Sequence, residues 1–418
     1  MQQQTSALPP LSVRNNARWL GAGFLMTLGS SFGQTYFISL FGADIRAFYG
    51  LSHGDFGGLY TIATAASAMA LIFIGKLADR WPVAGLSAAV AVALGIGCLV
   101  MANARSLVLL VIALFLLRLF GQGMMTHISM TAMGRWFEAR RGRAVAMASF
   151  GFPAGEAFFP LLAVALIPAL GWRGTWVAAA MVMIFVAAPV FYLLTYRNRT
   201  PRFSAEDVAV AVTDRRQWTA SEVRRDWLPY ALFPGLLAPA FIVTSVFFHQ
   251  AHLAAAKGWS IEWIAASYPF YAATSVLGSI AAGWLVDRGS ARSFLPVMLM
   301  PLCVALAIFG LGTHPLTAFA AFAFFGLSAG FMVSISGTLW AELYGTRHLG
   351  AIRALVVAAM VLSTAVGPSI TGYLIDAGLG VGTLLIVMAA YCIAASIPPL
   401  FLQDAMAERA EAPVPSRT

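Results

Sequence analysis

Apolar stretches of near-membrane length recur along almost the whole of this chain, and that recurrence limits its fold more than any other feature. Ser87 to Met101, Leu107 to Leu117, Val177 to Leu194 and Gly380 to Leu402 are examples. A helical span needs ~20 mainly apolar residues to cross a hydrocarbon core of ~30 Å. In lipid only helices and closed barrels satisfy their own backbone hydrogen bonds. Barrel strands would alternate polar and apolar residues over segments of roughly ten, and these runs do not alternate. Composition agrees: 60% of the 418 residues are hydrophobic and 10% charged, against about 25% charged in soluble domains.

The formal charge of +9 does not point to nucleic acid. Nearly all the basic residues sit in short loops between apolar runs, with no basic domain or stripe, where they act as topology determinants. The polar start, Met1 to Asn16, lacks the short apolar segment and small-residue cleavage site of a secretory signal, so the first span is expected to be its own insertion signal. Cys98, Cys303 and Cys392 are scattered inside apolar runs, which gives neither a disulfide framework nor a metal site. No cofactor is expected.

The runs and turn signals predict twelve helices. The first six lie near Trp19–Phe41, Phe56–Leu77, Val83–Met101, Leu107–Met133, Ala144–Leu166 and Trp176–Thr195. The second six lie near Pro229–Leu253, Trp263–Leu285, Leu295–Leu311, Leu316–Leu343, Ala351–Ile375 and Val381–Leu402. With the amino terminus inside, the outer loops hold only Arg46, Arg105, Arg173 and Lys257 of the basic residues. By the positive-inside rule both termini are cytoplasmic, in a multi-pass inner (plasma) membrane protein. The expected organisation is a cytoplasmic tail (1–16), a six-helix bundle (17–196), an Arg-rich cytoplasmic linker (197–227), a second six-helix bundle (228–402) and a cytoplasmic tail (403–418).

The halves repeat each other. Gly75-Lys76-Leu77-Ala78-Asp79-Arg80 after helix 2 returns as Gly283-Trp284-Leu285-Val286-Asp287-Arg288 after helix 8, 208 residues later. Trp136-Phe137-Glu138 after helix 4 returns as Trp340-Ala341-Glu342 after helix 10, and Gly/Pro clusters mark helix 5 (Gly151–Gly155) and helix 11 (Gly367–Gly372). Matched halves are what alternating access about a central site requires. The repeated Gly-x-x-x-Asp-Arg loops resemble the hallmark of the major facilitator superfamily, and Arg118-Leu119-Phe120-Gly121-Gln122-Gly123 resembles its second motif. The resemblance covers essentially the whole chain. Arg140-Arg141-Gly142-Arg143-Ala144 entering a Gly-rich helix 5 looks most like the monocarboxylate and oxalate/formate porters. It implies that helices 1, 4, 7 and 10 line a central cavity and that the protein works as a monomer.

Arg118 stands twelve residues from the outer end of helix 4, ~18 Å deep at 1.5 Å per residue. An Arg there costs ~2.5 kcal/mol or more, which a counter-charge role toward an anionic substrate would justify; a structural pair is the plainer alternative. Glu156 reaches a similar depth on helix 5 and is placed to pair with Arg118 or to carry a coupling proton. Ser30, Gln34 and Tyr36 on helix 1, Gln122 on helix 4 and, more weakly, Ser334 on helix 10 are candidate substrate contacts, with interhelical hydrogen bonding as the alternative. His249 and His252, near the outer end of helix 7, could sense pH, and His127 is expected to pack. Asp79, Arg80, Glu138, Arg143, Asp287, Arg288, Glu342 and Arg347 are expected to form charge clusters that latch the cytoplasmic side. The resemblance implies that each loop Asp approaches the start of a helix in the other half.

The sequence has no Walker-type loop, His-Glu-x-x-His or Gly-x-Ser-x-Gly, so ATP drive and the commoner hydrolytic chemistries are not expected. The first expectation is a secondary transporter of a small organic anion, monocarboxylate-like, with protons as a coupling partner. Efflux of an amphipathic drug or metabolite by proton antiport is the alternative within the class, and a channel or receptor the alternative outside it.

Overall fold

A computed structural model describes residues 13–137, 141–197 and 216–412. Among the described residues it has no strand and ten helices long and apolar enough to cross a membrane; dividing one of them, 142–195, at Gly171 and adding the broken helix 13–49 gives twelve helices in two six-helix halves. The first half comprises α1 (13–49), α2 (His53–Arg80), α3 (Val83–Asn103), α4 (Leu107–Trp136), α5 (142–170) and α6 (172–195). The second comprises α7 (Leu228–Phe248), α8 (Ile261–Arg288), α9 (Ala291–Leu311), α10 (Thr317–Tyr344), α11 (Leu349–Asp376) and α12 (Val381–Phe401). Odd helices leave the face at which α1 begins and α12 ends, here the terminal face, and even helices return from the far face.

Local chemistry sets the helix ends. Ser52 and Asp55 close a capping box at the start of α2, and the Ser106 hydroxyl accepts from the Leu109 amide at the start of α4. Between α5 and α6, Gly171 turns the chain with φ 68°, a backbone region that favours glycine. α5 therefore runs past the expected end near Leu166, through Pro168, to this glycine. The Gly-x-x-x-Asp-Arg segments also differ from expectation. Leu77–Arg80 is a helical turn, and Gly283 to Arg288 is the last part of α8 itself.

Two departures from regular helix shape the interior. α1 is helical over Val13–Gly29, tightens into a 3-10 turn at Ser30–Gly33, is extended at Gln34 (φ −83°, ψ 150°) and resumes at Thr35. α4 widens into a π-helix over Leu117–Met125. Broken spans and π-segments occur at mid-membrane where neighbours re-satisfy the backbone, and both recur at functional sites. The first half meets the second through α2 against α11 and α5 against α8.

Candidate substrate site and far-face closure

The break in α1 and the π-segment of α4 fit into each other. Glycines let the two backbones meet: a Cβ on Gly33 would strike the Leu117 carbonyl and lie 2.7 Å from the Gly121 Cα. A Cβ on Gly121 would lie 2.6 Å from the Gly33 Cα. Arg118, one residue into the π-segment, reaches back to this seam. Its Nη1 donates to the Gly33 carbonyl at 3.1 Å and approaches the Thr35 hydroxyl at 3.5 Å, and the guanidinium lies over the Tyr60 ring, 5.3 Å from its centroid. The side chain is 3% exposed, and its Nε has no acceptor. Among the described residues no carboxylate pairs with it.

The expected pairing of Arg118 with Glu156 is not formed, and the reason is steric. The broken stretch of α1 lies between them, Gly33 against α4 and Ser31 against Gly155 of α5. The half-buried Glu156 carboxyl instead has Tyr36, Tyr268 and Tyr271 within electrostatic reach. Tyr36 belongs to its own half and the other two to α8, so the surroundings of Glu156 are shared between halves.

The remaining candidates divide. Ser30 is buried and donates to the Thr27 carbonyl at 2.6 Å, while Gln34 contacts the Ser30 hydroxyl at 3.4 Å. The helical face expected to continue from these residues to Phe37 is interrupted at Gln34. Gln122 is half-buried beside the Gly33 seam. Ser334 is engaged with the carbonyl and hydroxyl of Ser279 at 2.8 and 3.1 Å, fastening α10 to α8. His127 packs as expected, 3.2 Å from the Gly75 carbonyl.

Hydrogen bonds join the halves on the far side of this site. The Asp376 carboxylate, ending α11, accepts from the His53 and Gly54 amides at 3.0 and 2.7 Å, and so caps the start of α2 across the interface. A negative charge there is favoured by the exposed amides and the helix dipole. Gly57 and Gly372 admit the close approach of α2 and α11, since a Cβ on either would sit 2.5–2.6 Å from a backbone carbonyl of the facing helix. Thr61 donates to the Ala365 carbonyl at 2.6 Å. Deeper in, Gln250 donates to the Tyr36 carbonyl (2.9 Å) and the Ser39 hydroxyl (2.8 Å) and accepts from Tyr268 (2.9 Å); Ser39 donates to the Phe247 carbonyl at 2.7 Å. The far face is closed.

The Major Facilitator Superfamily family model matches residues 23–352 and 255–417. This chain belongs to the major facilitator superfamily. It is 22% identical over 402 residues to the probable L-galactonate transporter of Escherichia coli (strain K12), covering 87% of this chain and 84% of that one. It is 24% identical over 358 residues to Monocarboxylate transporter 11 of Mus musculus, covering 83% and 78%. Among solved structures, a bacterial homolog of the human lysosomal transporter Spinster, in an inward-facing and unoccupied conformation, shares the fold with a TM-score of 0.76 at 16% identity. That match covers 96% of this chain and 99% of the other. The major facilitator fold expected from the repeats is thus the fold observed.

In this major facilitator protein Asp79, Glu342 and Arg288 make contacts within their own halves at the terminal face. Asp79 lies 3.8 Å from Arg135, with side chains 71% and 52% exposed. Glu342 accepts from the Ala291 amide at 2.7 Å, capping the start of α9, and pairs with Arg292 at 3.6 Å. Arg288 lies over the Trp284 ring at 3.6 Å, while Arg80, Arg143, Asp287 and Arg347 are exposed. Glu138 lies outside the described residues. The approach of an acidic group to a helix start in the opposite half, expected for Asp79 and Asp287, is made at the far face by Asp376. Asp376, Gln250 and His53 were not singled out from the sequence. An acidic residue directly after an apolar run was the signal for Asp376; for Gln250 the signal was an amide beside two histidines at the end of a span.

Proposed function

We propose that this protein carries a small organic anion, monocarboxylate-like, across the inner membrane by alternating access, with Arg118 as the counter-charge. The observation that carries the reading is a mid-membrane guanidinium that is buried, has no carboxylate partner among the described residues and keeps its Nε without an acceptor. Burying a charge without a partner is costly, and a guanidinium presents a fork that matches a carboxylate. The similarity to a probable L-galactonate transporter and to Monocarboxylate transporter 11 supports the same class. Ser30, Gln34, Tyr36 and Gln122, around the break in α1, are assigned as the nearby polar contacts; Ser334 is assigned to fastening α10 to α8.

The distribution of basic residues supports cytoplasmic termini, and on that reading the far face is external. Closed there, with Asp79, Arg80, Arg143, Asp287, Arg288 and Arg347 exposed at the other face, the protein is read as inward-open. Asp79, Arg80, Glu138, Arg143, Asp287, Arg288, Glu342 and Arg347 then form the cytoplasmic latch of the opposite state. Glu156 is assigned to proton coupling, because this membrane carboxyl has no cationic partner among the described residues and has Tyr268 and Tyr271 of the second half within electrostatic reach. Glu156→Gln should abolish accumulation driven by a proton gradient and leave exchange of internal for external substrate intact. Gradient-driven accumulation by that variant would remove Glu156 from the coupling step.

Export of an amphipathic compound by proton antiport is a second reading. It is favoured by a cleft of about 610 Å³ between α7, α11 and α12, walled by Phe233, Leu237, Phe241, Ile370, Leu374 and Met388. Transport of amphipathic cations, unaffected by Arg118→Ala, would favour it over the anion reading.

A further inference from the structure

The far-face closure contains a group of side chains that neither the substrate site nor the motif charges use. Three histidines meet there from both halves. The His53 ring, at the start of α2, lies 4.2 Å centroid to centroid from His252 and 5.7 Å from His249, both beyond the end of α7. His249 is 4% exposed and the other two are half-buried. The His249 Nε2–H donates to the Pro368 carbonyl at 2.9 Å, which fixes the proton on that nitrogen, because a carbonyl only accepts. His53 Nδ1 is buried without a partner.

The charged groups facing the cluster are Arg46, from the far end of α1, and Asp376, from α11. Asp55 is turned back onto Ser52 in the capping box. Asp376 is already engaged with the two amides that start α2. A proton added to any of the rings therefore places a second cation beside Arg46 and against two more imidazoles, in a partly dehydrated interface. Parting α2 from α7 and α11 would separate the rings and return them to water.

We propose that His53, His249 and His252 form a proton-binding site that controls the far-face gate, so that acid on that face drives it open. The closed gate binds fewer protons than the open one, and by linkage each extra proton taken up on opening lowers the closed-to-open ratio about tenfold per pH unit. The effect sets in as pH drops through the ordinary histidine range, near about 6.5. The site is separate from Glu156 and does not depend on what the substrate is.

The test is a spin-label distance across the far face, between Arg105→Cys and Leu311→Cys, in nanodiscs at pH 7.5 and pH 5.0. Cys98, Cys303 and Cys392 are first replaced by Ala. With the three histidines present, the population at the longer distance should rise at least tenfold in acid, and it should do so in a Glu156→Gln background as well. The triple variant His53→Gln/His249→Gln/His252→Gln should show no such rise. A distance distribution that ignores pH, a rise retained by the triple variant, or a rise abolished by Glu156→Gln would each overturn the proposal. Should the triple variant fail to assemble, His252→Gln alone decides: its ring is half-buried and makes no hydrogen bond among the described residues. It should flatten the pH response, and an unchanged response would refute the gate.

Discussion

Replacing Arg118 with Met separates two accounts of a buried charge, because they predict stability changes of different size. If the guanidinium fastened helices as one member of a buried ion pair, removing it would cost about 3–5 kcal/mol. The observed contacts are fewer: one hydrogen bond to a backbone carbonyl, a long approach to Thr35 and a face contact with Tyr60. A charged hydrogen bond contributes about 1.5–3 kcal/mol, and the ring about 0.5–2 kcal/mol. Against this, Met relieves the burden of a mid-membrane Arg, about 2.5–3.5 kcal/mol on insertion scales. The opposing ranges leave a net change between about −1.5 and about 2.5 kcal/mol, so Arg118→Met should unfold within about 2.5 kcal/mol of wild type. Reversible unfolding by sodium dodecyl sulfate titration in bicelles measures this directly, with substrate exchange scored in parallel. Near-native stability with exchange lost is the expected result. A destabilisation of about 3 kcal/mol or more would refute the reasoning and make Arg118 a structural residue.

Gly33→Ala drives a methyl group into the Leu117 carbonyl and to within 2.7 Å of the Gly121 Cα; backbone on both sides leaves little room to yield, so a loss of about 1–3 kcal/mol or more is expected, read as a lower unfolding temperature in detergent. The linker residue Asp226 makes a prediction about pH. Burial pushes its carboxyl up, but hydrogen bonds from Arg409, Tyr344 and the Leu228 amide more than offset that and hold it below the usual carboxylate range. Its contribution is therefore complete above the unfolded value of about 3.9 and is lost as pH falls through the lower folded value. At pH 7, Asp226→Asn should speed hydrogen exchange in the C-terminal helix Gln403–Glu411, and the difference from wild type should vanish in strong acid.

The sequence carried the spans because hydropathy reports on lipid, and lipid contact is a property of whole helices. It placed the ends of the helices to within about four residues, apart from both ends of α1 and the end of α7, which stops at Phe248 and not at Leu253. It carried the two halves because the Gly-x-x-x-Asp-Arg segments repeat at the same place in each, with Gly, Leu, Asp and Arg kept in register. The break in α1 was written less plainly: Gly29, Ser30, Ser31 and Gly33 crowd into five positions, but the same small residues also serve helix packing. Depth along a helix predicted that Arg118 and Glu156 would be level, and it could not show that α1 comes between them, because that depends on which faces two glycines turn to each other. The far-face closure was harder still. Asp376 and His53 are 323 residues apart in the chain, and the local pattern around each does not say which distant segment it meets.

The account stands most directly on Arg118 acting on a substrate anion. Counterflow into liposomes loaded with a panel of small mono- and dicarboxylates, comparing wild type with Arg118→Ala, tests it. Exchange of at least one carboxylate by wild type, abolished in the folded variant, is the predicted result. Carboxylate exchange that survives Arg118→Ala, or no exchange of any carboxylate by an active wild type, would contradict it.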